Sequence, residues 1–222
     1  MKKSAKTRRP KSTEPKAASE VRIIGGQLKR RNVSFIAADG LRPTPDRLRE
    51  TLFNWLMGDL YDARVLDACA GSGVLGFEAL SRGAAHCTFI EANTAQYTML
   101  QKNAQSLHLD SAAYHIAHAP AEQYLANQAL ADSDSVFDVV FLDPPYAANL
   151  WQPILDALLA THRLAPHTLL YVEADRDIEV IMNEWCAKNA DTLSKKQMQT
   201  PICLKQTKVG QVMAGLYQLG SS

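Results

Sequence analysis

The sequence lacks what would place it in a membrane, a disulfide framework or around a metal ion. No apolar run approaches the roughly 20 residues needed to cross a bilayer, and the opening MKKSAKTRRPKSTEPKAASE has no apolar stretch behind its basic residues. Neither a membrane partner nor a secretory signal is therefore expected. The four cysteines, Cys69, Cys87, Cys186 and Cys203, lie far apart, with no CxxC pair and no histidine at metal-ligand spacing. Disulfides and a metal site are not expected, and buried thiols in a reducing, cytoplasmic setting are. Of the six histidines, none sits in a catalytic motif. No internal repeat is visible.

What is present is ordinary globular composition, 46% hydrophobic and 21% charged, with charge distributed unevenly. Residues 1–31 hold eleven Lys/Arg and two acids, while the remaining 191 residues hold thirteen Lys/Arg and twenty-one acids. The net charge of +1 thus conceals a basic arm on an acidic body, a pattern that points to a polyanionic partner. Residues 1–20, dominated by Lys, Ser, Thr, Pro and Ala, read as a disordered basic tail. Residues 21–40 read as a small β-hairpin, VRIIGG and RRNVSFIA, studded with Arg22, Lys29, Arg30 and Arg31. The rest, residues 41–222, reads as one main domain.

In that domain a helix from about Asp46 to Met57 follows the loop DGLRPTP, its apolar stripe formed by Leu48, Leu52, Phe53, Trp55 and Leu56. Strands and helices then alternate: ARVLDACA, GVLGFEALSRG, HCTFIEA, TAQYTMLQKNAQSL, SAAYHIAHA, AEQYLANQAL, FDVVFLD, NLWQPILDALLATHRL, HTLLYVEAD and IEVIMNEWCAK. PICLKQTK and QVMAGLYQL close the chain as two strands joined at Val209–Gly210. Repeated strand–helix units imply an α/β, Rossmann-like fold. It is expected to have a mostly parallel seven-stranded sheet ending in an antiparallel hairpin.

Two segments carry chemistry. The first is Val65-Leu66-Asp67-Ala68-Cys69-Ala70-Gly71-Ser72-Gly73, where a strand ends and a helix begins. Glycines there let backbone approach a ligand, in the crevice where such sheets bind ligands. Asp67 ahead of the glycines disfavours phosphate and favours a cationic or hydroxyl-bearing group; no Walker lysine follows. Glu91 ends the next strand, placed to accept ribose hydroxyls. NAD would also use that acid, but AGSGVLG fits a pyrophosphate turn poorly. A turn-capping carboxylate is the bland reading of Asp67, and a plain surface acid that of Glu91.

The second is Asp143-Pro144-Pro145-Tyr146, where prolines force the chain out of the sheet. An exocyclic base amine is a poor nucleophile because its lone pair is delocalised into the ring. Hydrogen bonds from its N–H groups to the Asp143 carboxylate and the Pro144 carbonyl would orient it and free that lone pair, with Tyr146 as a flat face for stacking. A rigid exit from the strand with no chemistry is the alternative.

With both motifs in view, the chain resembles class I S-adenosylmethionine-dependent N-methyltransferases. Through RIIGGQLKRR, GLRPTPDRLRETLFNWL, LDACAGSGVLGFEALSRGA, FIEAN and VVFLDPPY it resembles the bacterial 16S rRNA guanine-N2 methyltransferase family over residues 21 to about 219. The resemblance implies methyl transfer from S-adenosylmethionine to a guanine N2 in 16S rRNA of the small ribosomal subunit or its assembly intermediate. It also implies that Asp67, Ala70, Gly71, Gly73, Glu91 and Asp143 border the cofactor, with Thr44 and Arg47 over it. Asp143, Pro144 and Tyr146 would hold the guanine. Arg22, Lys29, Arg30, Arg31 and Arg42 would grip phosphates, which orient RNA without reading it. One departure stands out: where that group carries Asp or Asn for the adenine amine, this chain reads Ala119-Pro120-Ala121, leaving the task to backbone at Ala121 or to Gln123. His118 lies nearby and reads as a locally satisfied histidine. The competing readings are methylation of adenine N6 or of a protein glutamine, and a non-catalytic RNA-binding assembly factor. One compact domain implies a monomer.

Overall fold

The computed structural model describes residues 18–37, 43–127 and 136–220. Most of the basic tail, Arg42 and the start of the DGLRPTP loop lie outside them. Strands β1 (Ala18–Arg22) and β2 (Asn32–Ile36) pair antiparallel. The composition-based boundary at residue 20 therefore falls inside a strand. The main domain runs α1 (Asp46–Trp55), β3 (Arg64–Asp67), α2 (Val74–Ser81), β4 (His86–Glu91), α3 (Thr94–Ser106), β5 (Tyr114–His118) and α4 (Ala121–Ala126). It continues with β6 (Val139–Leu142), α5 (Trp151–Ala160), β7 (Leu169–Ala174), α6 (Ile178–Lys195), β8 (Ile202–Val209) and β9 (Val212–Gln218). Helix α1 ends two residues before the expected Met57, and α6 runs seven residues past the expected Lys188, started by Asp177, whose carboxylate accepts from Glu179 N.

The second sheet has the order β5-β4-β3-β6-β7-β9-β8. Its first five strands are parallel and the last two antiparallel. Helices cover both faces, so β6 and β7 are buried at every position rather than at alternate ones. One face packs Leu66, Val140, Leu142, Leu170 and Val172 against α4, α5 and α6. The other packs Val65, Phe89, Val139, Phe141 and Tyr171 against α1, α2, α3 and the small sheet. From β3 the chain winds outward to β4 and β5, then returns to β6 on the other side. The switch opens a crevice at the carboxyl ends of β3, β4 and β6.

The small sheet is fastened to this body by polar side chains. Asn103 of α3 pairs with Ser34, accepting from its N at 3.0 Å and donating to its O at 2.7 Å; Gln96 accepts from Ile36 N. The segment between β1 and β2 seats on α2. Gln27 N donates to Ser81 O, Leu28 N donates to Ser81 Oγ, and that hydroxyl donates to Gly25 O. Gly26, at φ +73°, leaves no room for a side chain, since a Cβ there would lie 1.9 Å from Ser81 O.

Beneath this seat Glu78, fully buried, accepts from Ile24 N, Gly25 N and Arg49 Nη1. Arg49, also fully buried, reaches back to Thr44 O and Asp46. One ion pair thus joins the small sheet, α2 and the chain entering α1. Removing Glu78 leaves buried Arg49 with only the half-exposed Asp46 as counter-charge and takes the acceptor from Ile24 N and Gly25 N, a loss of about 3–5 kcal/mol. Glu78→Ala should destabilise the protein by that amount in urea unfolding; a loss below about 1 kcal/mol would contradict this role.

Candidate active site

The register of the parallel strands decides which side chains share the crevice. Asp67 is level with Phe89 on β4 and with Phe141 on β6, and Phe141 with Tyr171 on β7. Two residues beyond Phe89, Phe141 and Tyr171 along their strands stand Glu91, Asp143 and Glu173. Strand alternation therefore puts Glu91, Asp67, Asp143 and Glu173 on one face, at the carboxyl ends of four adjacent strands. It is the face that carries α1 and Thr44. Among the described residues no Lys or Arg forms an ion pair with any of the four.

Each acid is held differently. Asp67, buried, accepts from Gly76 N in the first turn of α2 at 3.1 Å through Oδ2. It is a turn cap, as the bland reading had it, and its other oxygen remains available. Burial, offset by that N–H and reinforced by Glu91 and Glu173, raises its pKa from 3.8 to about 7. Glu91 accepts from Gly71 N at 2.8 Å and Asn93 N at 2.6 Å, bracing the glycine turn on which Gly71 and Gly73 take φ of +51° and +76°. A Cβ on Gly73 would lie 2.4 Å from Leu100 Cδ2. Ala70 N is tied to Ile90 O. Asp143, at the mouth of the crevice, has no hydrogen-bond partner among the described residues. Burial of its carboxyl, with Glu173 and Asp67 adding negative charge, holds its pKa well above the carboxylate range.

Glu173 and Tyr171 escaped the sequence reading, which named only their neighbour Thr44. Its Oε1 accepts from Thr44 Oγ1 at 2.9 Å and from Tyr171 Oη at 2.8 Å. Burial raises its pKa to about 6 against the lowering effect of these two donors. Pro144 is buried, and Tyr146 opens a single 3-10 turn, Tyr146–Ala148, stacking on Trp151 with ring centroids 6.0 Å apart. Trp151 Nε1 in turn donates to Glu173 O. Cys69 lies among these acids, and burial together with Asp143 pushes its thiol pKa far up, which denies it the thiolate a nucleophile needs.

The remaining candidates divide. Thr44 joins the crevice through Glu173, whereas Arg47 is exposed on α1 and forms no ion pair among the described residues. Ala121 is the first residue of α4, where a helical N–H has no intrahelical acceptor; Gln123 is exposed. His118 contacts Thr94 Oγ1 and Ala92 O through Nε2 and stacks on Tyr97, a locally satisfied ring. Arg22, Lys29 and Arg30 are exposed on the small sheet and its connection. Arg31, also exposed, donates through Nη2 to Ser106 O at the end of α3, so it serves that helix terminus. Among the described residues no group of His, Cys, Asp and Glu could hold a metal ion, and no helix is long and apolar enough to cross a membrane.

A five-strand parallel core with a switch-point crevice and a closing antiparallel pair is the Rossmann-like architecture of the methyltransferases. The solved "Putative methyltransferase yhhF from Escherichia coli" superposes with a TM-score of 0.72 at 33% identity, covering 92% of this chain and 100% of that one. "A putative sam-dependent methyltransferase from Streptococcus mutans" shares the fold at 13% identity and a TM-score of 0.61, covering 93% of this chain and 56% of that one. Residues 21–206 match the family described as "Conserved hypothetical protein 95", and the chain belongs to that family. Over 170 residues, 77% of this chain and 86% of the other, it is 41% identical to "Ribosomal RNA small subunit methyltransferase D" of Haemophilus influenzae.

Proposed function

We propose that the protein transfers a methyl group from S-adenosylmethionine to the exocyclic N2 of a guanine in 16S rRNA, acting in the cytoplasm on the small subunit or its assembly intermediate. The observation that carries this is the row of four carboxylates along one sheet edge, none of them ion-paired to a Lys or Arg among the described residues. The fit to the cofactor is electrostatic: an acidic crevice with no counter-charge among the described residues suits a ligand bearing a sulfonium and an ammonium. When bound, S-adenosylmethionine supplies an electrophilic methyl group.

The chain's own residues do the rest. Asp67 and the backbone of Ala70, Gly71 and Gly73 would hold the methionine part, Glu91 the ribose, and the N–H of Ala121 the adenine edge. Asp143, whose carboxylate has no hydrogen bond among the described residues, accepts from the base amine together with Pro144 O. It thereby orients the nitrogen lone pair and balances positive charge as it builds there. Tyr146, backed by Trp151, stacks the unpaired base. Lys29, Arg30 and Arg22 lie exposed for phosphate contacts, while Arg31 is committed to α3. The name of the Haemophilus relative supports rRNA of the small subunit as the substrate. A non-catalytic assembly factor is disfavoured, because burying these acids is costly and a binding module gains nothing from it.

The test offers tritiated cofactor with small subunits lacking the modification, naked 16S rRNA, DNA and total protein. Label should enter rRNA, bare or in the particle, and the transfer should weaken steeply with salt. Label confined to DNA or protein would overturn the assignment.

A further inference from the structure

Glu173 is a buried acid that methyl transfer as derived above does not use. Leu142 is level with Val172, so Asp143 and Glu173 follow side by side on neighbouring strands, whose spacing is about 4.8 Å. Glu173 Oε1 takes both Thr44 Oγ1 and Tyr171 Oη, leaving Oε2 without a hydrogen bond among the described residues. Its backbone is coupled to the stacking platform, because Trp151 both donates to Glu173 O and carries the Tyr146 ring. A base lying on Tyr146 with its amine at Asp143 is therefore held in a fixed relation to the second carboxylate, one strand over.

The Watson–Crick edges of the purines differ at the atom beside the amine. Guanine has N1–H, a donor, next to its N2 amine; adenine has N1, an acceptor, next to its N6 amine. Two adjacent carboxylates match two adjacent donors, whereas an acceptor facing the second carboxylate is repelled and left unpaired. We infer that Glu173 is the specificity-determining residue of this site, accepting N1–H of the target guanine while Asp143 accepts from N2. This rests on the function proposed above and adds to it the means by which guanine is told from other amine-bearing purines. Thr44 Oγ1 and Tyr171 Oη both donate to Glu173 and favour its carboxylate form, the acceptor that an N1–H requires. Sites that hydrogen-bond a donor reject analogues lacking it by large factors, about 10⁴–10⁵.

The experiment uses small subunits reconstituted with 16S rRNA carrying either guanine or 2-aminopurine at the methylated nucleotide. 2-Aminopurine keeps the N2 amine but presents an acceptor at N1. The wild-type protein should methylate guanine at least a hundredfold faster than the analogue. Glu173→Gln retains an acceptor for Thr44 and Tyr171 and can also donate to N1 of the analogue, so the ratio should fall at least tenfold. Thr44→Val removes a hydrogen bond that holds the Glu173 pKa down, so it is assayed at about pH 8, where the carboxylate is favoured; there it should slow both substrates alike, leaving the ratio unchanged. A wild-type ratio near one, or an unchanged ratio in Glu173→Gln, overturns the inference while methylation of guanine stands. Failure of the wild-type protein to methylate the guanine particle overturns both.

Discussion

Asp143→Ala should lose methyl transfer by about a thousandfold or more while retaining cofactor binding within about tenfold. The carboxylate has no hydrogen bond among the described residues, so its removal disrupts no structural contact. What it takes away is an acceptor aimed at the amine and a negative charge where positive charge develops. Removal of one preorganised group of this kind costs about 10²–10³ in rate, and loss of orientation adds to that. Its burial, beside Glu173 and Asp67, penalises the charged form in the ligand-free protein. The variant should therefore be at least as stable as the wild type above neutral pH, a stability–activity trade-off. Single-turnover kinetics with saturating cofactor, paired with calorimetric titration of S-adenosylhomocysteine, separates the two effects. Near-normal turnover would remove Asp143 from the reaction; loss of turnover with loss of binding would make it a cofactor residue instead.

Cofactor binding should be more than tenfold weaker at pH 5.5 than at pH 7.5, and Asp67→Asn should flatten that dependence. Burial raises the Asp67 pKa from 3.8 to about 7 in the ligand-free protein. A cationic ligand favours the carboxylate, and below pH 7 the proton competes with it, by up to tenfold per unit. The stability effect has the opposite sign. A carboxyl whose folded pKa exceeds its unfolded value stabilises fully below the unfolded value, and that contribution is lost as pH rises through about 7. Each unit corresponds to about 1.4 kcal/mol, so the ionised carboxylate costs at most about 4 kcal/mol. Asp67→Asn should accordingly raise the ligand-free melting temperature at pH 8 while weakening binding. Equal affinities at the two pH values in the wild type would show that this carboxylate does not face the cation.

The glycine turn and the Asp-Pro-Pro-Tyr exit were legible in the sequence because each is local, its residue types set by a single bend of backbone. The strand–helix alternation was legible because buried parallel strands and amphipathic helices leave different periodicities. Glu173 was not, although HTLLYVEAD closes a buried strand with an acid just as HCTFIEA does. Its meaning depends on β7 lying next to β6 in a register that no local pattern specifies. Arg49 and Glu78 were missed for the same reason, being partners 29 residues apart. The one available hint was an arginine between Leu48 and Leu52 on the apolar stripe of α1. Arg31 shows the converse: grouped by charge with Lys29 and Arg30, it is tied instead to Ser106 O at the end of α3.

The central claim is that this acidic edge presents a guanine N2 to a sulfonium methyl, and the identity of the methylated nucleoside tests it most directly. Small-subunit rRNA methylated by the purified protein, digested to nucleosides and analysed by mass spectrometry, should yield N2-methylguanosine at one nucleotide. N6-methyladenosine, or a methyl group on any ring carbon, would contradict it.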